Sequence, residues 1–96
     1  MLALASGKLG GQVNPDGTAC FWLGDGTNRY AIFWPFGFSA AGLPLTVYDT
    51  DARKVATIGQ RVSMGGGGGP DGTPNPLGCL GKFAGVFFAA PQIDVH

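Results

Sequence analysis

The sequence predicts an all-β fold, and three observations carry that prediction. All six acidic residues are Asp and none is Glu, and Asp favours turns whereas Glu favours helix interiors. The 18 Gly and 7 Pro residues interrupt the chain at short intervals. Helix-forming residues do not recur at helical spacing over any ten-residue stretch. Because 45% of the residues are hydrophobic and only 12% are charged, the Gly and Pro residues are interpreted as turns between short buried strands rather than as disorder.

Six or seven short strands are expected within one domain spanning residues 1–96. A spacing of about ten residues between strands is typical of a small barrel or a sandwich. We predict a small OB-like barrel of five to seven short antiparallel strands, with a compact β-sandwich as the alternative, because a Gly-rich first strand suits a closed barrel. The expected strands are 4–13, 18–23, 29–34, 43–49, 53–58, 61–64 and 83–89.

The second expected strand has two apolar faces. Side chains alternate along a strand, so Cys20 and Trp22 share one face, and Phe21 and Leu23 share the other. We therefore expect this strand to be covered on both sides.

The connections between strands follow from Gly and Pro. A hairpin loop is expected at residues 24–28 and an irregular connection at 36–42. The kink at Gly59 either separates two strands or marks a bulge within one. Residues 65–78 are expected to form a Gly/Pro-rich loop that is mobile across its five consecutive glycines. Residues 91–96 are expected to form a tail.

The two cysteines, Cys20 and Cys79, lie far apart in the sequence. Zinc needs about four ligands, and His96 is the only histidine, so a zinc site within one chain is excluded. An even cysteine count in a short chain favours a disulfide; the alternative is two separate buried thiols. A disulfide indicates an oxidising, extracytoplasmic location, either secreted or in the cell envelope.

Charge and hydropathy exclude several partners. The formal net charge is zero and the six basic residues are scattered, so nucleic acid and anionic membranes are disfavoured as partners. No segment approaches the roughly 20 apolar residues of a membrane span, and Met1–Ser6 is too short for a signal peptide. A neutral surface with little charge favours self-association.

No catalytic constellation stands out, so we predict that the protein is not an enzyme and needs no cofactor. The Gly81-Lys82 pair is followed by Phe83 rather than the Ser or Thr of a phosphate-binding loop. The surroundings of Ser39 miss the nucleophile-elbow pattern. The dispersed Asp residues sit in turns, where carboxyl groups are solvated and do not form an acid–base pair.

A metal site is not expected either. Asp71 follows the glycine run as in a repeat-type calcium turn, but that motif needs stacked repeats. Asp49 and Asp51 are spaced like the first EF-hand ligands, yet Lys54 replaces the required Gly. Carboxylates hydrated in turns are the favoured interpretation.

The aromatic residues support an alternative binding function. Barrels of this class bind oligosaccharides or single-stranded nucleic acid on aromatic surfaces. The zero net charge of this chain favours an oligosaccharide over nucleic acid as the ligand. The opposing interpretation is that most of these rings fill the core. The candidate ligand-stacking residues are Trp22, Tyr30, Trp34, Phe36 and Phe38.

Several short motifs follow one another in a characteristic order. They are Cys20-Phe21-Trp22-Leu23, Ile32-Phe33-Trp34-Pro35-Phe36-Gly37, the Asp turn at 49–53, Val55-Ala56-Thr57-Ile58-Gly59, the Gly-rich segment at 62–67, and Cys79. This order resembles small extracytoplasmic modules of actinobacterial secreted proteins and lipoproteins. The resemblance implies the disulfide and an envelope location, and it implies no catalytic residues. The leading hypothesis is therefore a non-catalytic extracytoplasmic binding or structural module whose partner is a protein or an envelope component.

Overall fold

The computed structural model describes residues 3–24, 28–70, 72–76 and 78–96. Within these ranges the fold is all-β, as predicted, and no residue is helical. None of the described segments is therefore a helix that could cross a membrane. The strands are β1 (Ala3–Val13), β2 (Ala19–Leu23), β3 (Tyr30–Phe33), β4 (Ser39–Ala41), β5 (Thr46–Tyr48), β6 (Lys54–Thr57), β7 (Arg61–Gly68) and β8 (Gly85–Val95).

Five strands close into a barrel in the order β1-β2-β3-β8-β7, and the other three form a small sheet in the order β4-β5-β6. The barrel confirms the predicted OB-like fold over the β-sandwich. One expectation is corrected, because β3 and β8 pair in parallel whereas the other pairs are antiparallel. Between them the chain passes through the small sheet and β7, and such a crossover is what a parallel pair requires.

Strand β1 closes the barrel by pairing with two neighbours. Its first half, from Ala3 to Lys8, pairs with β7, and its second half, from Leu9 to Val13, pairs with β2. Gly10 permits this arrangement, because the indole of Trp22 lies across it and a Cβ there would overlap the ring nitrogen. Glycine in a strand often marks such a close approach.

One hydrophobic core joins the barrel to the small sheet. Leu45, Val47 and Ala56 of the small sheet are buried in the same cluster as Leu9 and Phe21 of the barrel. The small sheet follows the end of β3 and precedes the start of β7, so it packs at that end of the barrel. The opposite end, where β2 and β7 finish and β3 and β8 begin, forms the barrel mouth.

The predicted loop at 65–78 begins later than expected. Residues 65–68 belong to β7. Gly65 and Gly66 pair with β1, and Gly66, Gly67 and Gly68 pair with β8. The pairing uses only backbone groups, so a run of glycines can sustain it. Gly66 has a φ of 145° and the carbonyl of Phe88 occupies the space that a Cβ would need. Glycine is therefore needed there by the strand, and the β7–β8 loop begins only after Gly68 and ends before Gly85.

Three other boundaries differ from the prediction. The connection at 36–42 contains β4, and the expected tail at 91–96 continues β8 as far as Val95. Gly59 separates β6 from β7, which lie in different sheets, so the bulge alternative is wrong. Strand β4 is paired with its neighbour β5, and the end of β8 is paired with residues 62–64 of β7. Residues 25–27 of the expected hairpin loop lie outside the described residues.

Candidate functional site

The predicted disulfide joins Cys20 of β2 to Cys79 of the β7–β8 loop, and neither thiol is free. The interpretation as two separate thiols is therefore wrong. Both cysteines are buried, and they form a second apolar cluster with Ala31 and Val86. Cys20, Ala31 and Val86 alternate with core residues, so this cluster lies on the outer face of β2, β3 and β8.

The β7–β8 loop covers this outer face. Phe83 of the loop packs against Trp22 with 6.2 Å between ring centroids. The guanidinium carbon of Arg29 lies 4.8 Å from the centroid of Trp22 and 4.5 Å from that of Phe83. Cation–π contacts of this kind hold the loop to the barrel. OB barrels commonly bind oligonucleotides and oligosaccharides on the face of strands two and three, and here residues of the same chain occupy that face.

Two further predicted stacking residues belong to the core. Trp34 meets Phe21 edge-on at a centroid distance of 5.6 Å, and Phe38 stacks on Trp34 at 6.2 Å. Both rings pack against the main core cluster. The alternative that the aromatic rings fill the core is therefore correct for Trp34 and Phe38.

The remaining two candidates, Phe36 and Tyr30, are exposed but lie apart. Phe36 occupies the turn between Pro35 and Phe38 and is 100% exposed. Tyr30 begins β3 at the barrel mouth and is 47% exposed. The structure thus divides the five predicted aromatics among a covered face, the core, a turn and the mouth, and it brings only Tyr30 to a cavity.

The cavity at the barrel mouth has a volume of about 450 Å³. Its walls are mostly apolar, with a few polar groups at the rim, which is the usual composition of a small-ligand pocket. The lining residues come from every barrel strand and the β2–β3 connection: Ala5, Ser6, Leu23, Gly24, Asn28, Tyr30, Gly68, Val86 and Phe87.

A second cavity, of about 390 Å³, lies beside the first. The β7–β8 loop forms one wall and supplies the polar side chains of Thr73 and Asn75. Tyr30, Gly68 and Val86 line both cavities. Together the cavities provide an apolar compartment that adjoins a more polar one.

The glycines around these cavities differ in whether a residue with a side chain would fit in their place. A Cβ at Gly69 would clash with Val86, and one at Gly85 would press against the ring of Tyr30 at 3.2 Å. The lack of space for a Cβ therefore explains why both positions are glycine. Gly68 is different, because the nearest atom to its Cβ would be the carbonyl oxygen of Val86 at 3.8 Å. A Cβ therefore fits at Gly68 in ordinary van der Waals contact, and Gly68 lines both cavities.

The polar groups elsewhere are dispersed. The Ser63 hydroxyl hydrogen-bonds the imidazole of His96, but no carboxylate among the described residues bonds that ring. Ser63 and His96 line neither cavity. No three His, Cys, Asp or Glu side chains of the described residues come together. Asp71, which the calcium hypothesis invoked, lies outside the described residues.

Among the carboxyl groups of the described residues, that of Asp16 has a shifted pKa. Asp16 accepts hydrogen bonds from the Thr18 hydroxyl at 2.6 Å and from the Thr18 amide at 2.9 Å. Both hydrogen bonds lower the pKa of Asp16 below its ordinary value, and the bond from the hydroxyl has the larger effect. This group stabilises the β1–β2 turn and is remote from the cavities.

Sequence reasoning missed most of the mouth. Gly68, Asn28 and Ser6 carry no motif, and the glycine run was interpreted as a mobile loop rather than as a strand. The signal that was available is the run itself, because strand glycines often mark places where another molecule approaches the backbone.

Comparisons with protein-family models, curated proteins and solved structures each find no match. The fold and the site define a small OB-like barrel whose outer face is covered by its own disulfide-tied loop and whose mouth carries two adjoining cavities.

Proposed function

We propose that this chain is a non-catalytic, extracytoplasmic binding module whose ligand site is the barrel mouth beside Tyr30. The observation that carries the proposal is the apolar cavity of about 450 Å³, which falls within the size range of small-ligand sites. The ligand is an apolar group borne by a protein or an envelope component. Its apolar end enters the mouth, and the polar chain that follows lies in the adjoining cavity beside Thr73 and Asn75.

The disulfide supports the extracytoplasmic part of the proposal. Disulfides persist in oxidising compartments and are rare in the cytosol. The resemblance to actinobacterial secreted and lipoprotein modules supports the same location. A buried bond between Cys20 and Cys79 also suits a small domain whose limited core leaves stability to be gained from a cross-link.

The placement of the polar groups supports a function without catalysis. General acid–base chemistry requires groups within hydrogen-bonding reach of a bound substrate. No Asp, Glu, His, Cys or Lys side chain of the described residues lines either cavity. The mouth offers mainly shape and apolar contact, and its polar side chains are those of Ser6, Asn28 and Tyr30.

The covered outer face favours the mouth over an aromatic stacking platform. Trp22 is engaged by Phe83 and Arg29, and Trp34 is engaged by Phe21 and Phe38. A platform for an oligosaccharide or single-stranded nucleic acid needs several exposed rings in sequence along a groove. Tyr30 supplies one ring at the mouth, which suits a single apolar group.

The test is a fluorescence titration with 8-anilinonaphthalene-1-sulfonate, an amphipathic probe with an apolar ring system. We expect saturable binding to the folded protein. Gly68→Val adds a side chain at a residue that lines both cavities and should weaken binding by about tenfold or more. Gly65→Val is the matched control, because Gly65 lies in the same strand and lines neither cavity.

The control variant should bind the probe as the parent protein does, and circular dichroism checks that both variants fold. The proposal fails if the parent protein shows no saturable binding. It also fails if Gly65→Val and Gly68→Val lose binding equally while remaining folded.

A further inference from the structure

The side chain of Thr73 enters the second cavity with its hydrogen already used. Its hydroxyl donates to the carbonyl oxygen of Pro70 at 2.5 Å, and its backbone amide donates to the same oxygen at 3.1 Å. A threonine hydroxyl has one hydrogen and two lone pairs that can accept hydrogen bonds. Thr73 therefore offers the cavity acceptor positions and no free hydrogen.

Asn75, the other polar side chain that the loop contributes, is held in the same way. Its Nδ2 donates to the carbonyl oxygen of Cys79 at 3.4 Å and to that of Gly81 at 3.3 Å. Because only the nitrogen of the amide can donate to a carbonyl, these two bonds fix which way the amide faces and use both of its hydrogens. Among the described residues, no group donates to Oδ1 of Asn75, so that oxygen remains an acceptor.

The rest of the described wall carries no charge. No Asp, Glu, His, Lys or Arg side chain of the described residues lines the second cavity. The backbone N–H groups of Gly69, Thr73 and Ala84 donate within the chain, and Pro70 has no N–H. The phenol of Tyr30 can donate or accept, so it favours neither kind of partner.

We propose that the second cavity selects a neutral group bearing N–H or O–H donors, a carboxamide or a hydroxyl, and disfavours a carboxylate or a phosphate. The inference rests on the proposed function, in which the apolar end of the ligand is held at the mouth. A donor group replaces the hydrogen bonds that water makes to Thr73 and Asn75. An anion or an ester displaces that water without replacing its bonds, which costs affinity.

The lack of charge in the wall decides between a neutral donor and a cationic one. A protonated amine also carries N–H donors, but removing a charge from water is costly unless an opposite charge balances it. No carboxylate among the described lining residues supplies that balance. A neutral donor gains the same hydrogen bonds without this cost.

The test is a titration of the oxidised protein followed by ¹H–¹⁵N NMR, with three probes that share an octanoyl chain. Octanamide bears N–H donors, methyl octanoate bears only acceptors, and octanoate is an anion at neutral pH. The backbone amides of Gly68 and Gly85 report binding, because both residues line the second cavity. We expect octanamide to bind about tenfold more tightly than either other probe, as two neutral hydrogen bonds would allow.

A pair of variants at one position tests the assigned acceptor. Thr73→Val replaces the hydroxyl with a methyl group and should reduce the preference for octanamide over methyl octanoate to about threefold, while leaving the affinity for the ester unchanged. Thr73→Ser is the matched control, because it keeps the hydroxyl, and it should retain the preference of the parent protein. The NMR spectra of the free variants show whether they fold like the parent.

The proposal is overturned if the three probes bind with equal affinity, a result that leaves the mouth intact as an apolar binding site. It is also overturned if Thr73→Ser loses the preference as fully as Thr73→Val does. If no probe shifts Gly68 or Gly85, the inference fails, and the titration with 8-anilinonaphthalene-1-sulfonate decides separately whether the mouth binds apolar groups.

Discussion

Cys79 of the β7–β8 loop is bonded to Cys20 of β2, across 59 residues of sequence. The bond holds the loop against the outer face of the barrel, where Phe83 and Arg29 pack on Trp22. The same loop forms one wall of the second cavity. The disulfide therefore fixes which face of the barrel is covered, and it anchors the loop that forms a wall of the second cavity.

Removing this bond should lower stability substantially. A cross-link closing a 59-residue loop restricts the unfolded chain by about 4 kcal/mol in the chain-entropy treatment. We expect the double variant Cys20→Ala and Cys79→Ala to lose a free energy of unfolding of about that size, as measured by urea denaturation. A double variant as stable as the parent would show that the loop is held by its apolar contacts alone.

The close approach of Trp22 to Gly10 leads to a matched pair of variants in β1. Gly10→Ala forces the new methyl group against the indole, and we expect a loss of about 1–3 kcal/mol in the free energy of unfolding. Gly7→Ala is the control, because its methyl group would lie 3.5 Å from the nearest atom, the amide nitrogen of Gly24. Urea denaturation should show no loss for Gly7→Ala, and equal losses in both variants would contradict the close approach.

The β1–β2 turn should contribute to the pH dependence of stability through Asp16. Hydrogen bonds from Thr18 lower the pKa of Asp16 in the folded state, so the unfolded state takes up a proton more readily. The contribution is complete above the unfolded Asp pKa of about 3.9 and is lost as the pH falls through the lower folded value. A carboxyl-carbon NMR titration should show that Thr18→Val raises the pKa of Asp16 toward its ordinary value.

Thr50→Val is the control for that titration, because Thr50 makes no hydrogen bond to Asp16. It should leave the pKa of Asp16 unchanged. If the parent protein titrates at the ordinary Asp value, the two bonds from Thr18 do not persist in solution.

Local patterns predicted much of the barrel. The alternation that placed Cys20 and Trp22 opposite Phe21 and Leu23 is confirmed, since the first pair lies outside the barrel and the second pair inside. The third strand ends before Pro35, which cannot donate a ladder hydrogen bond, although its last residue is Phe33 rather than the expected Trp34. These features depend on neighbouring residues and on the strand period, which the sequence displays directly.

The candidate site was less predictable. Five aromatics were proposed as one surface, and the structure separates them because each ring follows the face and the end of its own strand. Tyr30 reaches the mouth since it begins β3, whereas Trp34 follows the other end of β3 and meets the core. The positions of strand ends relative to one another depend on the register of distant pairs.

By itself, the sequence determined the all-β class, the strand faces and the two cysteines available for a cross-link. Tertiary structure decided that Gly68 lies in a strand at the mouth, that residues 39–41 form a strand and that the disulfide-tied loop covers the outer face. The physical reason is that turn chemistry and side-chain alternation act over a few residues. Backbone pairing, by contrast, can recruit a glycine run or a three-residue segment only when a partner from elsewhere in the chain is in place.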